Sequence, residues 1–340
     1  MPSSLSVKAG LTRSIYRIVG LAVILGSFLV FVWVFGDAIR SAGGLKPERW
    51  APFFGAAILH LLMLFFLMVL WERVLTFLRS PTNGSVIPST SSLYAAYSRS
   101  WLARYIPGRI WSLAGRTILV NRLGVPADQV ARSIVIEVVL AYGMLTIISG
   151  SILSWVYLHP LIAVTTFAFG VIFFGASMIK IGNLSKDSTL QAPPISLTRM
   201  VSQKAATLLT GGSYFSCNFT LKGLGLYGAY SFMQLAFIVL IAASFTDLNA
   251  SRIAVISGAW GLSLTVGWLS VFPPVGLGAR DGLAFLLFSQ VVELPAASSI
   301  VVASRLLMLS TDLVFVMAVE STTKIHQRFG LTKIRIKNGI

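Results

Sequence analysis

The sequence predicts an all-α polytopic membrane protein with about eight helices. Of its 340 residues, 56% are hydrophobic and only 11% are charged, and the mean hydropathy is +0.82. Soluble domains carry about 25% charged residues, so this composition cannot cover a water-facing surface. The apolar residues also fall in long runs, and about 20 apolar residues are needed to cross a bilayer.

Seven long apolar runs and one short one account for the predicted helices. Five runs contain no Asp, Glu, Lys or Arg, and they cover residues 18–35, 53–70, 161–178, 225–245 and 253–272. Two more, residues 131–155 and 296–319, contain ionisable side chains. A short, broken crossing over residues 281–294 makes the count even. Basic residues are typical of cytoplasmic segments, so we expect both termini, the polar loop 180–204 and the tail 321–340 in the cytoplasm.

The formal net charge of +16 does not indicate a nucleic-acid partner, because no basic patch belongs to a soluble domain. Basic loops on one side of a membrane explain it better. The single cysteine excludes an intramolecular disulfide, and the three histidines lack metal-ligand spacing. We therefore predict no metal site, no cofactor and no enzymatic activity in a chain that resides in the cytoplasmic membrane.

Residues 86–132 combine many arginines with a helix break. This segment contains one acid and six arginines: Arg99, Arg104, Arg109, Arg116, Arg122 and Arg132. Aromatic residues, including Tyr105 and Trp111, are interleaved with them. Pro107 and Gly108 end any helix at that point, and a broken helix is tolerated at membrane depth only when it is buried or lines a wet cavity. The segment is either a phosphate-binding site, since arginine binds phosphate with two hydrogen bonds, or a basic loop at the membrane surface.

A second break lies within residues 272–282, between two apolar runs. Its prolines and glycines cannot continue a helix, and they precede an adjacent pair of opposite charges: Pro273, Pro274, Gly276, Gly278, Arg280 and Asp281. Unwound backbone beside a charge pair is typical of a substrate site between discontinuous helices. An ordinary loop between helices is the alternative interpretation.

The two breaks look like copies of one unit within a single domain, residues 1–340. The first copy covers about residues 86–155 and the second about residues 253–319. In the first copy, the proline-glycine break is followed by Gly115-Arg116, a short turn that contains Pro126, and a long helix. In the second copy, the break is followed by Ala279-Arg280, a short turn that contains Pro295, and a long helix. Internal repeats are common in transporters, whose substrates bind near the midplane between the repeats.

The long helices of the two copies carry ionisable residues near mid-bilayer. Glu137 lies eleven residues after Pro126, and Arg305 lies ten after Pro295, with Asp312 on the same face as Arg305. We expect these three side chains to line one cavity, with Arg305 shared between the carboxylates and a passing headgroup. The alternative is a fixed Glu137–Arg305 or Arg305–Asp312 bridge that only holds helices together. For His60, a hydrogen-bonded interior histidine is favoured over a proton relay.

Two motifs of the chain resemble a known family. The first is Arg104-Tyr-Ile-Pro-Gly-Arg-Ile-Trp111 with Gly115-Arg116, Leu-Gly-Val-Pro126 and Glu137, and the second is the proline-rich break that runs into Gly-Leu-Gly-Ala-Arg280-Asp281-Gly. Over about residues 15–325 the chain resembles the transmembrane flippase domain of lysylphosphatidylglycerol synthases and its stand-alone relatives. Asp281 stands where that family usually has glutamate. The chain leaves no room for a soluble aminoacyl-transferase domain.

The resemblance implies translocation of a lipid: an aminoacyl phospholipid in two-domain members, and polyprenyl-phosphate-linked sugars, phospholipids or other lipids in stand-alone ones. We therefore expect a flippase for a lipid with an anionic phosphate headgroup, with facilitated or ion-coupled movement. The expected site residues are Arg104, Tyr105, Pro107, Gly108, Arg109, Trp111, Arg116, Glu137, Pro273, Pro274, Gly276, Gly278, Arg280, Asp281, Arg305 and Asp312.

Two other functions remain open at this stage. The chain would be a non-transporting scaffold if its loop 180–204 and its basic tail dock a glycosyltransferase or a lipid-modifying enzyme. A membrane enzyme acting on lipid-linked sugar is least favoured, because no carboxylate pair stands out at a membrane surface. The sequence leaves the oligomeric state open.

Overall fold

A computed structural model describes residues 47–78, 88–105, 110–184, 217–269 and 278–328. These residues form nine α-helices and one 3-10 turn, without a strand among them. The helices are α1 (Trp50–Leu78), α2 (Thr90–Leu102), α3 (Ile110–Asn121), α4 (Ala127–Tyr157), α5 (Pro160–Leu184), α6 (Cys217–Ala243), α7 (Ala250–Leu269), α8 (Ala279–Phe288) and α9 (Leu294–Arg328), and the 3-10 turn Ala103–Tyr105 continues α2.

The predicted class, an all-α polytopic membrane protein, is confirmed. Five helices are long and apolar enough to cross a membrane, namely α1, α4, α6, α7 and α9. α5 follows α4 after a short turn and adds a shorter apolar stretch, Pro160–Gly175. The predicted first crossing at residues 18–35, most of the loop 180–204 and the tail beyond residue 328 lie outside the described residues.

Local chemistry explains where several helices begin. The side chain of Ser89 accepts a hydrogen bond from the backbone N–H of Ser92 and caps α2. Pro126 precedes the first residue of α4, and the preceding turn uses Gly124 with φ +90°, a conformation that only glycine adopts without strain. α5 begins with Pro160, whose missing N–H would have had no helical partner there.

Two pairs of helices, α2 with α3 and α7 with α8, enter the bundle from opposite faces. The start of α2 lies where α1 ends, because Glu72 accepts hydrogen bonds from the hydroxyls of Thr90 and Tyr94. The start of α7 lies at the other face, where Arg49 before α1 pairs with Asp247. The end of α8 lies at that second face too, since the Tyr157 hydroxyl at the end of α4 donates to Gln290.

The two helices of each pair pack against each other, α2 against α3 and α7 against α8. The connecting residues 106–109 and 270–277 lie outside the described residues. The break residues Pro107, Gly108, Arg109, Pro273, Pro274 and Gly276 lie outside the described residues, whereas Gly278 has φ +89° and directly precedes α8. We call these pairs the first and second hairpins; hairpins that enter from opposite faces have the arrangement of inverted repeats.

The two hairpins interlock with the long helices. The long helix after the first hairpin, α4, packs along α7 of the second, while α9 packs along α2 of the first, and α1 packs along α6. Neither half therefore buries its own hairpin completely. The resulting core is one large cluster of buried apolar side chains, with a second cluster around Trp71, Tyr97 and Phe315.

Small residues allow the close approach of α4 and α7. A Cβ atom added to Gly261 would lie 1.8 Å from the Ser149 hydroxyl oxygen, and one added to Gly258 would lie 2.7 Å from a side-chain carbon of Leu153. In a membrane, where apolar surface gains nothing from leaving lipid, such close backbone packing is a main source of helix association. The α4–α7 contact therefore depends on glycine at position 261.

We expect Gly261→Ala to destabilise the protein by about 1–3 kcal/mol, the usual cost of overpacking a filled contact. The measurement is thermal unfolding in detergent, followed by tryptophan fluorescence. Gly150→Ala is the matched control, because nothing lies within 4 Å of a Cβ added at this α4 position. An equal melting temperature for the two variants would contradict this account of the packing.

Candidate functional site: a charged cavity between the hairpins

A cavity of about 120 Å³ with charged side chains in its wall lies in the middle of the bundle. Its wall includes His60, Met63 and Leu67, near the midpoint of α1, and Tyr230 and Gln234, near the midpoint of α6. Side chains from both hairpins complete the wall. The cavity therefore lies at mid-depth of the spanning helices and is lined from both hairpins.

Residues from both hairpins face this space. Trp101 lines it from the end of α2, Arg104 from the 3-10 turn that follows, and Arg116 from α3. From the second hairpin, Trp268 at the end of α7 lines the wall and stacks on Tyr142 of α4, with ring centroids 5.3 Å apart. The wall thus joins side chains that are far apart in sequence.

Arg116 and Glu137 form a buried ion pair in the cavity wall. Nη1 of Arg116 donates to Glu137 at 2.5 Å, and the Tyr97 hydroxyl donates to the other carboxylate oxygen at 3.1 Å. The guanidinium lies over the ring of Tyr97, 4.0 Å from its centroid, and 5.1 Å from that of Trp71. Charge, hydrogen bonds and cation–π contacts thus all compensate the burial of Arg116.

Asp312 of α9 is fully buried and ties this helix to the inner end of the first hairpin. It accepts hydrogen bonds from the Trp101 indole N–H at 3.0 Å and from the Tyr105 hydroxyl at 2.6 Å. Arg104 lies farther away, with Nη1 3.7 Å from the carboxylate, and its guanidinium covers the ring of Trp101. Arg104 therefore lines the cavity, and its ion pair with Asp312 is long.

The third charged group lies at the start of α8. Arg305 of α9 donates to both carboxylate oxygens of Asp281, each at 2.8 Å. Arg280 is 4.0 Å from the same carboxylate and lies 4.4 Å above the ring centroid of Trp260. Its Nη2 approaches the Met308 sulfur at 3.3 Å, and its buried Nε has no hydrogen-bond partner among the described residues.

The alternative of a Glu137–Arg305 or Arg305–Asp312 bridge is wrong. Arg305 pairs with Asp281 and Glu137 with Arg116, so each ion pair joins a hairpin helix to the long helix that follows it in sequence. Matching depths along two helices do not reveal which way the side chains face. Neither Arg305 nor Asp312 is among the residues that line the cavity with Glu137. The sharing of Arg305 between a carboxylate and a passing headgroup stays a prediction.

The other expected site residues are divided between the cavity and its surroundings. Arg104, Arg116 and Glu137 line the wall. Tyr105 and Asp312 lie directly behind the wall, and Arg280, Asp281 and Arg305 form a group beyond Met308. Trp111 does not line the cavity and is 53% exposed.

Several wall residues were not predicted from the sequence. Tyr142, Tyr230, Gln234 and Trp268 lie in apolar helices and carry no charge, so they gave no signal. The spacing of Tyr230 and Gln234, four residues apart on one helix face, could have indicated a polar patch. The His60 ring nitrogen Nδ1 lies 2.6 Å from the Thr311 hydroxyl, as expected for an interior histidine, and His60 also lines the cavity.

Together, the fold and this cavity define an integral membrane protein with several spanning helices and a charged interior site. No family model, curated protein or solved structure matches the chain. A function for this chain must therefore be inferred from the geometry of the described residues and from the two motifs.

Glu137→Leu should destabilise the protein by about 3–5 kcal/mol, because it leaves Arg116 buried without a counter-charge. The double variant Arg116→Met, Glu137→Leu should recover most of that loss. Arg99→Met is the control: Arg99 pairs with Glu320 near the surface, and such exposed pairs contribute about 0–1 kcal/mol. Unfolding in detergent would measure all four proteins, and a double variant no more stable than Glu137→Leu would argue against the pairing.

Proposed function

We propose that this protein is a flippase that moves a lipid with an anionic phosphate headgroup across the cytoplasmic membrane. The observation that supports this most is the cavity at mid-depth of the spanning helices, which is lined from both hairpins and has Arg104 and Arg116 in its wall. A headgroup would use this cavity while its acyl or prenyl tails stay in the bilayer. The resemblance of both motifs to a family that translocates lipids also supports a flippase.

The free-energy cost of placing charges at mid-depth of a membrane suggests that these charges have a function. Each ionisable residue near the centre of a spanning helix costs about 2.5–3.5 kcal/mol on insertion scales. Packing alone could be achieved with apolar residues of similar size, often with equal or greater stability. Charges retained at such a cost usually line the path of a polar substrate.

The balance of these charges favours an anion. Among the described residues, the cavity wall, Asp312 behind it and the charged group beyond Met308 together contain four arginines and three carboxylates: Arg104, Arg116, Arg280, Arg305, Glu137, Asp281 and Asp312. One positive charge is left over. A phosphodiester supplies the one negative charge that neutralises it, whereas a headgroup with a net positive charge would add to the imbalance.

The hairpins suggest how the headgroup would pass. Because they enter from opposite faces and meet at the cavity, a small movement of one half against the other would open the cavity to one face at a time. The sequence contains no nucleotide-binding loop, so we propose facilitated or ion-coupled movement without chemical conversion of the lipid. In our proposed orientation both termini lie in the cytoplasm.

Arg104→Gln should weaken the binding of dodecyl phosphate to the purified protein roughly tenfold, the effect of losing one charge-assisted contact. It should also slow the movement of tail-labelled phosphatidylglycerol across phosphatidylcholine vesicles that contain the protein. Arg104→Lys should restore only part of the binding, because lysine lacks the planar fork of arginine.

Arg99→Gln is the matched control, since Arg99 is on the same helix but bonds to Glu320 outside the cavity. It should bind and transport as the wild type does. If Arg104→Gln is also unchanged, the headgroup does not use this cavity. If the wild-type protein neither binds nor moves these lipids, the flippase proposal fails and the scaffold alternative is favoured.

A further inference from the structure

Met308 contacts both the cavity and Arg280. Met308 of α9 lines the cavity with its side chain, and its sulfur is also 3.3 Å from Nη2 of Arg280. Arg280 itself is only 2% exposed and is not among the residues that line the cavity. The thioether therefore forms a partition between the Arg104 and Arg116 side of the site and the Arg280 side.

Arg280 is poorly compensated compared with the other buried arginines. Both oxygens of the nearest carboxylate, on Asp281, already accept hydrogen bonds from Arg305. Among the described residues, Arg280 has the face of Trp260, the weak sulfur acceptor and an ion-pair contact at 4.0 Å, and its Nε has no partner. The surplus positive charge of the site is therefore concentrated on Arg280.

The Arg280 side chain is confined on two sides. A Cβ added to Gly267 of α7 would lie 2.6 Å from the Cβ of Arg280, so these two helices pack with little spare room at this position, and the guanidinium lies against the ring of Trp260. Methionine is unbranched and adapts readily to changes in the space around it. We therefore take Met308 as the group that moves to admit a ligand.

We propose that Arg280 is a second phosphate-binding group and that Met308 is the movable partition that controls access to it. This inference rests on the proposed function and deepens it. When Met308 turns away, the cavity extends to Arg280, and one phosphate group can lie between Arg280 and the arginines of the first hairpin. The anion would then supply a negative charge to Arg280 and Arg104, whose nearest carboxylate contacts are long, at 4.0 Å and 3.7 Å.

The site is thus divided between the two halves of the protein. Arg104 and Arg116 belong to the first hairpin, and Arg280 belongs to the second. A phosphate held by both would bring the hairpins together, and a phosphate held by one only would leave them separate. The position of the Met308 side chain, on α9, determines whether the phosphate contacts one hairpin or both.

The test compares two methionines that line the same cavity. Met308→Ala removes the partition, whereas Met63→Ala enlarges the cavity from α1 without uncovering Arg280. The ligand is dodecyl phosphate, titrated into the purified full-length protein in a maltoside detergent and measured by calorimetry. We expect Met308→Ala to bind roughly tenfold more tightly than Met63→Ala, the gain from one added charge-assisted contact.

A second comparison asks whether the gain depends on Arg280. It should disappear in Met308→Ala, Arg280→Gln, and it should persist in part in Met308→Ala, Arg280→Lys, which keeps the charge. Arg280→Gln leaves the Asp281–Arg305 pair intact, so folding should survive, and gel filtration would check this. Met308→Leu preserves the volume of the partition and should bind as the wild type does.

The outcomes separate this inference from the proposed function. If Arg104→Gln weakens binding but Met308→Ala behaves like Met63→Ala, the headgroup uses the cavity and Arg280 has only a structural role against Trp260. The same conclusion holds if the gain of Met308→Ala remains after Arg280→Gln. If neither the wild-type protein nor Met308→Ala binds dodecyl phosphate, both the inference and the proposed function are refuted.

Discussion

The structure depends on one constraint: a charge at mid-depth of a membrane must be compensated inside the protein. Water is not there to solvate it, and moving a bare ion into hydrocarbon costs far more than one packing contact returns. Each buried charge in the described residues meets this demand differently. Arg116 has a carboxylate and two aromatic rings, Asp312 has an indole and a phenol, and Arg280 has a ring and a sulfur.

This demand explains why the hairpins and long helices interlock. A hairpin that turns back inside the membrane leaves backbone groups and charged side chains that lipid cannot satisfy, so other helices must cover it. α9 of the second half covers the first hairpin through Asp312, and α4 of the first half covers the second through the Tyr142–Trp268 stack. The close contact at Gly261 allows α4 to lie near enough to do this.

The same arrangement leaves one region incompletely compensated. The carboxylates at the cavity are engaged by their own partners, while Arg104 keeps only a distant one and Arg280 shares one with Arg305. A fully compensated core would have no affinity for an anion, and an uncompensated one would be unstable. The observed state lies between these extremes, as expected for a site that binds a phosphate and releases it again.

The sequence by itself determined the class of the protein, because composition and the length of apolar runs depend on no contact between distant residues. It also located the charged residues, since prolines and ionisable groups in apolar surroundings are visible in the chain. Only the tertiary structure decided the partners: Glu137 with Arg116, and Arg305 with Asp281. Depth follows from counting residues along one helix, but a pairing depends on how each helix is rotated against its neighbours. That rotation is set by contacts such as Gly261 with Ser149, which no local pattern reveals.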